Sequence, residues 1–163
     1  MPFSNITILL AEDDIALRAL WESVCTEIGF KVIAVSTVNE GLEYIAKADI
    51  FIVDLVLADG DASLLISAWE RHNGGPMLCV SGIVTADKIR EYILRGADNA
   101  FEKTVFTTEM LRTLVTKYAK RVLLLLRLDN LEKKVKLQQR AIAGLAILVV
   151  GKDLWEWLSP LIF

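Results

Sequence analysis

Ile50-Phe51-Ile52-Val53-Asp54-Leu55-Val56-Leu57-Ala58-Asp59-Gly60-Asp61 opens with four apolar residues and then turns to a carboxylate. A short apolar run without helical period predicts a strand covered on both faces. Asp54 stands at the carboxyl end of that strand. In an open parallel sheet the carboxyl ends of the strands line the functional crevice, so position alone marks Asp54 as a candidate.

Similar runs lie on either side. Ile6–Ala11 and Lys31–Val35 precede it, and Met77–Val80 and Asn99–Phe101 follow. Helical spacing fills the intervals. Leu17, Leu20, Trp21, Val24 and Ile28 recur before Gly29, a stop signal. Thr37 with Glu40 forms a capping-box pattern before a short helix through Ala46. Ala62–Glu70, where Trp69 is expected to face inward, and Ala86–Leu94 also read as helices, and Thr107 caps a last one beginning near Thr108. Five strand–helix alternations predict an α/β fold, a five-stranded parallel sheet, doubly wound, with helices on both faces.

The last helix runs on. No Gly or Pro occurs from Thr107 to Ala143. Leu124, Leu128, Leu131, Val135, Ile142, Leu145 and Val149 follow alternating three- and four-residue steps, with Gln138 at the vacant place. A heptad sustained in this way predicts a coiled coil. The expected organisation is a domain at 1–120, an extended C-terminal helix at 121–150 that forms a homodimer, and an apolar tail at 151–163.

The chain is 54 % hydrophobic and 24 % charged, and its mean hydropathy is +0.45. The helical extension and tail hold the excess. Residues 1–119 carry net charge −7, residues 120–140 carry +5 and residues 141–163 carry −1. This asymmetry suits a partner or an anionic membrane surface, and residues 141–163, with Trp155 and Trp157, are the segment that would contact a membrane. Ala141–Gly151 is too short an apolar run to span one. The residues beyond 120 hold no helix-turn-helix pattern, so no nucleic-acid partner is expected. Two cysteines, Cys25 and Cys79, fall in a helix and a strand and read as buried free thiols. No basic segment followed by an apolar run opens the sequence, which together with the thiols points to the cytoplasm. The lone His72 precedes a turn and reads as a solvated loop residue.

Glu12-Asp13-Asp14 ends the first strand, Asp54 the third, Ser81 the fourth and Lys103 the fifth. Carboxylates gathered without a cation repel one another. A divalent ion of the Mg²⁺ kind, a hard cation that takes oxygen ligands, would hold them together. A hydroxyl and an ammonium beside them are donors suited to phosphoryl oxygens.

These residues carry a resemblance. Ile8-Leu9-Leu10-Ala11-Glu12-Asp13-Asp14 with Arg18, the Val53–Asp61 segment, Ser81-Gly82, and Gly96-Ala97-Asp98-Asn99-Ala100-Phe101-Glu102-Lys103 resemble, in order and spacing, the receiver domains of bacterial response regulators. The resemblance covers about residues 5–120. It implies a two-component signalling role, with Asp54 as phospho-acceptor and Ser81 and Lys103 on the phosphoryl oxygens. It further implies a Mg²⁺ site made of Asp13, Asp54, Glu12 through water, and the backbone carbonyl of Val56. The partner it implies is a histidine kinase or a phosphotransfer protein, and the chain would not itself be an enzyme. Two departures bear on switching: Thr104 follows the lysine where proline is usual, and Ala100 replaces the aromatic that ordinarily turns inward. Ala58 and Ala62 stand where proline and glycine are common. Val56 and Ile83 would flank the path of a hydrolytic water and offer it no polar group, so the phosphoryl group is expected to leave slowly. The alternative reading is a non-switching pseudo-receiver or a membrane-tethered binding module.

Overall fold

The computed structural model describes residues 3–72, 74–82 and 85–162, with side chains described outside 86, 146–150 and 153–162. The chain divides into two units, Met1–Val122 and Leu123–Phe163.

The first unit is an α/β sandwich. Its strands are β1 (Thr7–Ala11), β2 (Lys31–Val35), β3 (Ile50–Val53), the short pair β4 (Val56–Leu57) and β5 (Gly60–Asp61), β6 (Met77–Ser81) and β7 (Asn99–Glu102). The main sheet is parallel throughout, in the order β2-β1-β3-β6-β7. The helices of the chain are α1 (Ile15–Ile28), α2 (Val38–Tyr44), α3 (Ser63–His72), α4 (Ala86–Leu94) and α5 (Thr108–Ile162), the last beginning in the first unit and making up the second. The doubly wound parallel sheet and the long C-terminal helix are those the sequence predicts.

Local chemistry accounts for the element ends. Asp14 Oδ1 accepts from Leu17 N at 2.9 Å and caps α1, while Gly29 closes that helix at φ 108°, a left-handed conformation that suits glycine. Thr37 Oγ1 accepts from Glu40 N, and Glu40 reaches back to Ser36 N at 2.9 Å. The capping box is thus present, displaced by one residue on its return arm. Thr107 Oγ1 accepts from Met110 N at the start of α5. The β4–β5 hairpin was not expected. It folds the segment after Asp54 back on itself, and the Asp59 carboxylate accepts from Val38 N at 2.6 Å and Asn39 N at 3.1 Å. The loop after Asp54 is therefore pinned to the start of α2.

β1, β3 and β6 are buried on both faces, as parallel strands under helices must be. Trp69 is 1 % exposed, packs on Phe51 at 5.1 Å between ring centres, and donates to Gly75 O at 3.0 Å. On the opposite layer Trp21 meets Phe106 edge-on at 5.6 Å, and Phe106 in turn packs on Phe101. α5 contributes Leu111, Val115, Tyr118 and Ala119 to that layer. Cys25 and Cys79 are free and buried, and burial pushes each thiol up to about 12. His72 is exposed at the end of α3.

In the second unit every described side chain from Leu124 to Leu145 is exposed. Leu124, Leu128, Leu131, Val135, Ile142 and Leu145 lie between 49 % and 66 % exposed along one seam of the helix. Val149, Trp155 and Trp157 have side chains outside the described ones. Among the described residues no helix is long and apolar enough to cross a membrane.

Candidate functional site

The sheet changes winding direction between β1 and β3, and the carboxyl ends of those strands carry Glu12, Asp13 and Asp54. Backbone pairing fixes them there. Glu12 N donates to Val35 O at 3.1 Å and Asp54 N to Ala11 O at 2.8 Å. Arg18 reaches back from α1, and its Nη1 donates to the carbonyls of Glu12 at 2.6 Å and Asp13 at 3.1 Å. The guanidinium therefore holds the loop that presents the two acids.

Glu12 is 0 % exposed, Asp54 4 % and Ser81 3 %, whereas Asp13 is open to solvent. Lys103 Nζ bridges Glu12 Oε1 at 2.7 Å and Asp54 Oδ2 at 2.6 Å. Lys103 follows β7 directly, and its N donates to Ser81 O at 2.9 Å, which brings Ser81 and Lys103 side by side. Burial pushes the Glu12 carboxyl above its ordinary value, against the lowering pull of Lys103. Burial also pulls the Lys103 ammonium down, but the hydrogen bonds to Asp54 and Glu12 outweigh it and hold the group above an ordinary lysine.

One ammonium between two buried carboxylates leaves charge uncompensated. Glu12 Oε2 is buried with no hydrogen-bond partner among the described residues. Carboxylate oxygens of Glu12, Asp13 and Asp54 lie within 4.8 Å of one another, close enough to share a metal ion. The orphaned oxygen and the all-oxygen donor set fit a hard divalent cation. Val56 is exposed, with a backbone fixed by pairing with Asp61. Ile83 lies outside the described residues.

Loss of Lys103 should show what it offsets. Lys103→Met leaves two buried carboxylates facing each other, and we expect about 3 kcal/mol of destabilisation in the absence of divalent ions. Added Mg²⁺ should return part of that loss by binding the folded state. Urea unfolding with and without Mg²⁺ measures both; equal stability of variant and parent without the ion would remove Lys103 from this role.

The site opens into a cleft of about 330 Å³ lined by Asp13, Asp54, Ser81, Lys88, Tyr92 and Lys103. The five residues that sequence reasoning singles out for their side chains, Glu12, Asp13, Asp54, Ser81 and Lys103, thus come together at the strand ends. Lys88 and Tyr92 were missed. They sit four residues apart on α4, a helix whose other described side chains are mostly exposed and half of them charged. The signal available was a single tyrosine one turn after a lysine on one ridge. A second groove of about 370 Å³, lined by Leu42, Ala68, Arg71 and His72, contains neither a carboxylate nor a hydroxyl. The Lys103–Thr104 peptide is trans, and Ala100 sits half-buried opposite Cys79.

Solved structures share this architecture. The signal receiver domain of a putative LuxO repressor protein from Vibrio parahaemolyticus matches with a TM-score of 0.67 at 21 % identity, over 77 % of this chain and 95 % of that one. The receiver domain of the Francisella response regulator 1452 matches with a TM-score of 0.66 at 21 % identity, over 72 % and 98 %. The fold is that of a response-regulator receiver domain. The receiver domain of Klebsiella pneumoniae RstA, solved in a BeF3-activated form, matches this receiver fold with a TM-score of 0.64 at 18 % identity, over 69 % and 97 %. No protein-family model and no curated protein matches the sequence.

Proposed function

We propose that the chain is a receiver module of two-component signalling that accepts a phosphoryl group on Asp54. The observation that carries this reading is the buried Asp54 carboxylate held at 2.6 Å by Lys103, with Glu12, Asp13 and Ser81 beside it. In this reading the donor is a phosphohistidine of a histidine kinase or a phosphotransfer protein in the cytoplasm. A carboxylate oxygen of Asp54 attacks phosphorus, the P–N bond breaks, and the leaving imidazole takes up a proton. The product is an acyl phosphate. Lys103 and the Ser81 hydroxyl supply donors to the phosphoryl oxygens. Glu12, Asp13, Asp54 and the backbone carbonyl of Val56 would hold a Mg²⁺ ion, which would neutralise charge on the incoming group. The chain accepts and keeps the group; it does not turn over a substrate.

The exposed seam supports output through pairing of the C-terminal helix with a second copy. Arg127 and Glu132 flank the seam five residues apart. In a parallel pair each Arg127 faces the other copy's Glu132, so opposite charges meet across the seam and favour that orientation.

The test is to incubate the protein with acetyl phosphate and Mg²⁺ and follow intact mass. A single adduct that hydroxylamine removes is expected, because hydroxylamine cleaves acyl phosphates and leaves phosphate esters intact. An adduct that resists hydroxylamine, or none at all, would refute the reading.

A further inference from the structure

Helix α4 buries few of its described side chains. Among its described side chains Tyr92 is the only buried one, at 5 % exposure, while Ile93 and Leu94 beside it are 43 % and 79 % exposed. That same ring is a wall of the cleft that holds Asp54, Ser81 and Lys103. Arg95 covers the ring from outside, with its guanidinium 5.9 Å from the ring centre. On β7 the small side chain of Ala100 packs against the core cluster that includes Tyr92 and Cys79. The aromatic body in this region therefore comes from α4 and not from the strand.

We propose that Tyr92 couples occupancy of the Asp54 cleft to helix α4, an inference that rests on the reading of Asp54 as phospho-acceptor. A phosphoryl group adds three oxygens inside the cleft, and the acyl phosphate carries about −1.5 to −2 charge where the carboxylate carried a single one. It packs against the Tyr92 ring and narrows the space into which the ring can swing. Among the described side chains of α4 only Ile89 is even partly buried besides Tyr92, and an element with so few buried contacts opens at low free-energy cost, so restraint of that ring is felt along the helix. α4 thereby becomes the element that reports the phosphoryl group, and the coupling runs through the ring rather than the hydroxyl.

Amide hydrogen exchange of the α4 segment tests this, with beryllofluoride and Mg²⁺ as the phosphoryl mimic and fluorine NMR to score binding. In the parent, the mimic should slow exchange in α4 by about tenfold. Tyr92→Phe keeps the ring and should keep the slowing. Tyr92→Leu keeps an apolar anchor but removes the ring; it should bind the mimic and show a change within about twofold. Slowing in Tyr92→Leu equal to that in the parent overturns the coupling, as does its loss in Tyr92→Phe. Should Tyr92→Leu loosen α4 even without the mimic, the comparison of parent with Tyr92→Phe still decides. A parent that binds the mimic without any change in α4 overturns the coupling alone; a parent that does not bind it overturns the acceptor reading and the coupling with it.

Discussion

With Asp54 replaced by asparagine, the chain is expected to take up no hydroxylamine-labile phosphoryl group from acetyl phosphate. The argument is chemical. A carboxylate oxygen carries the charge that attacks phosphorus, while an amide oxygen is a far poorer nucleophile and cannot form a stable acyl phosphate. The isosteric swap leaves the site's packing in place, because Asp54 is 4 % exposed and its backbone N is already bonded to Ala11 O. Glu12 and Asp13 share the cluster and are the obvious substitutes. Glu12 is fully buried and bound by Lys103 through Oε1, so it cannot meet an incoming donor. Asp13 is exposed and is the residue to watch. Intact mass followed by peptide mapping checks the result, and labelling of the variant at the parent's level would assign the acceptor elsewhere. Ser81, the neighbouring hydroxyl, would give itself away by an adduct that resists hydroxylamine.

Placing aspartate at both Leu131 and Val135 is expected to convert a dimer to a monomer. These two residues occupy the middle of a seam in which they are 56 % and 50 % exposed. Each large apolar side chain contributes about 1.5–3 kcal/mol on burial, and the double change removes four of them from a pair of chains. A loss of about 6 kcal/mol raises Kd by roughly ten-thousandfold, before the cost of burying carboxylates is added. The isolated helix offers no other cover for the seam, since its ion pairs, such as Lys133 with Asp129, lie along its own surface. Sedimentation at micromolar concentration separates the outcomes. A variant that stays dimeric removes the seam from the interface. A parent that is monomeric in detergent and partitions with anionic vesicles would assign the same leucines to a membrane surface.

The sheet was legible because its signals are local. Four buried residues in a row before Asp54, Gly29 after α1 and Thr37 three places before Glu40 each determine a conformation within a few residues. The acid cluster was legible because strand ends of a parallel sheet converge, so Glu12, Asp13 and Asp54 needed no contact information. What was not legible depends on side-chain packing. The β4–β5 hairpin has two residues in each arm, too few to show alternation, and it is held by Asp59 at the start of α2. Lys103 as the bridge between Glu12 and Asp54 spans 91 and 49 positions of sequence. Tyr92 was hidden by its surroundings: on a helix whose residues just before it are Arg90 and Glu91, a lone tyrosine reads as surface, and only its packing into the core cluster shows otherwise.

The pairing of Trp21 with Phe106 has an optical consequence. Phe106 lies three residues beyond Lys103, and its amide donates to Lys103 O at 3.3 Å, so the ring travels with the lysine's turn. The Trp21 indole is 2 % exposed and meets that ring at an interplanar angle of 82°. A shift of the turn changes the polarisable surface next to a shielded fluorophore, and so its emission. Once Trp69, Trp155 and Trp157 are replaced by phenylalanine, the chain carries an intrinsic, dye-free gauge of what happens at its own acidic cluster.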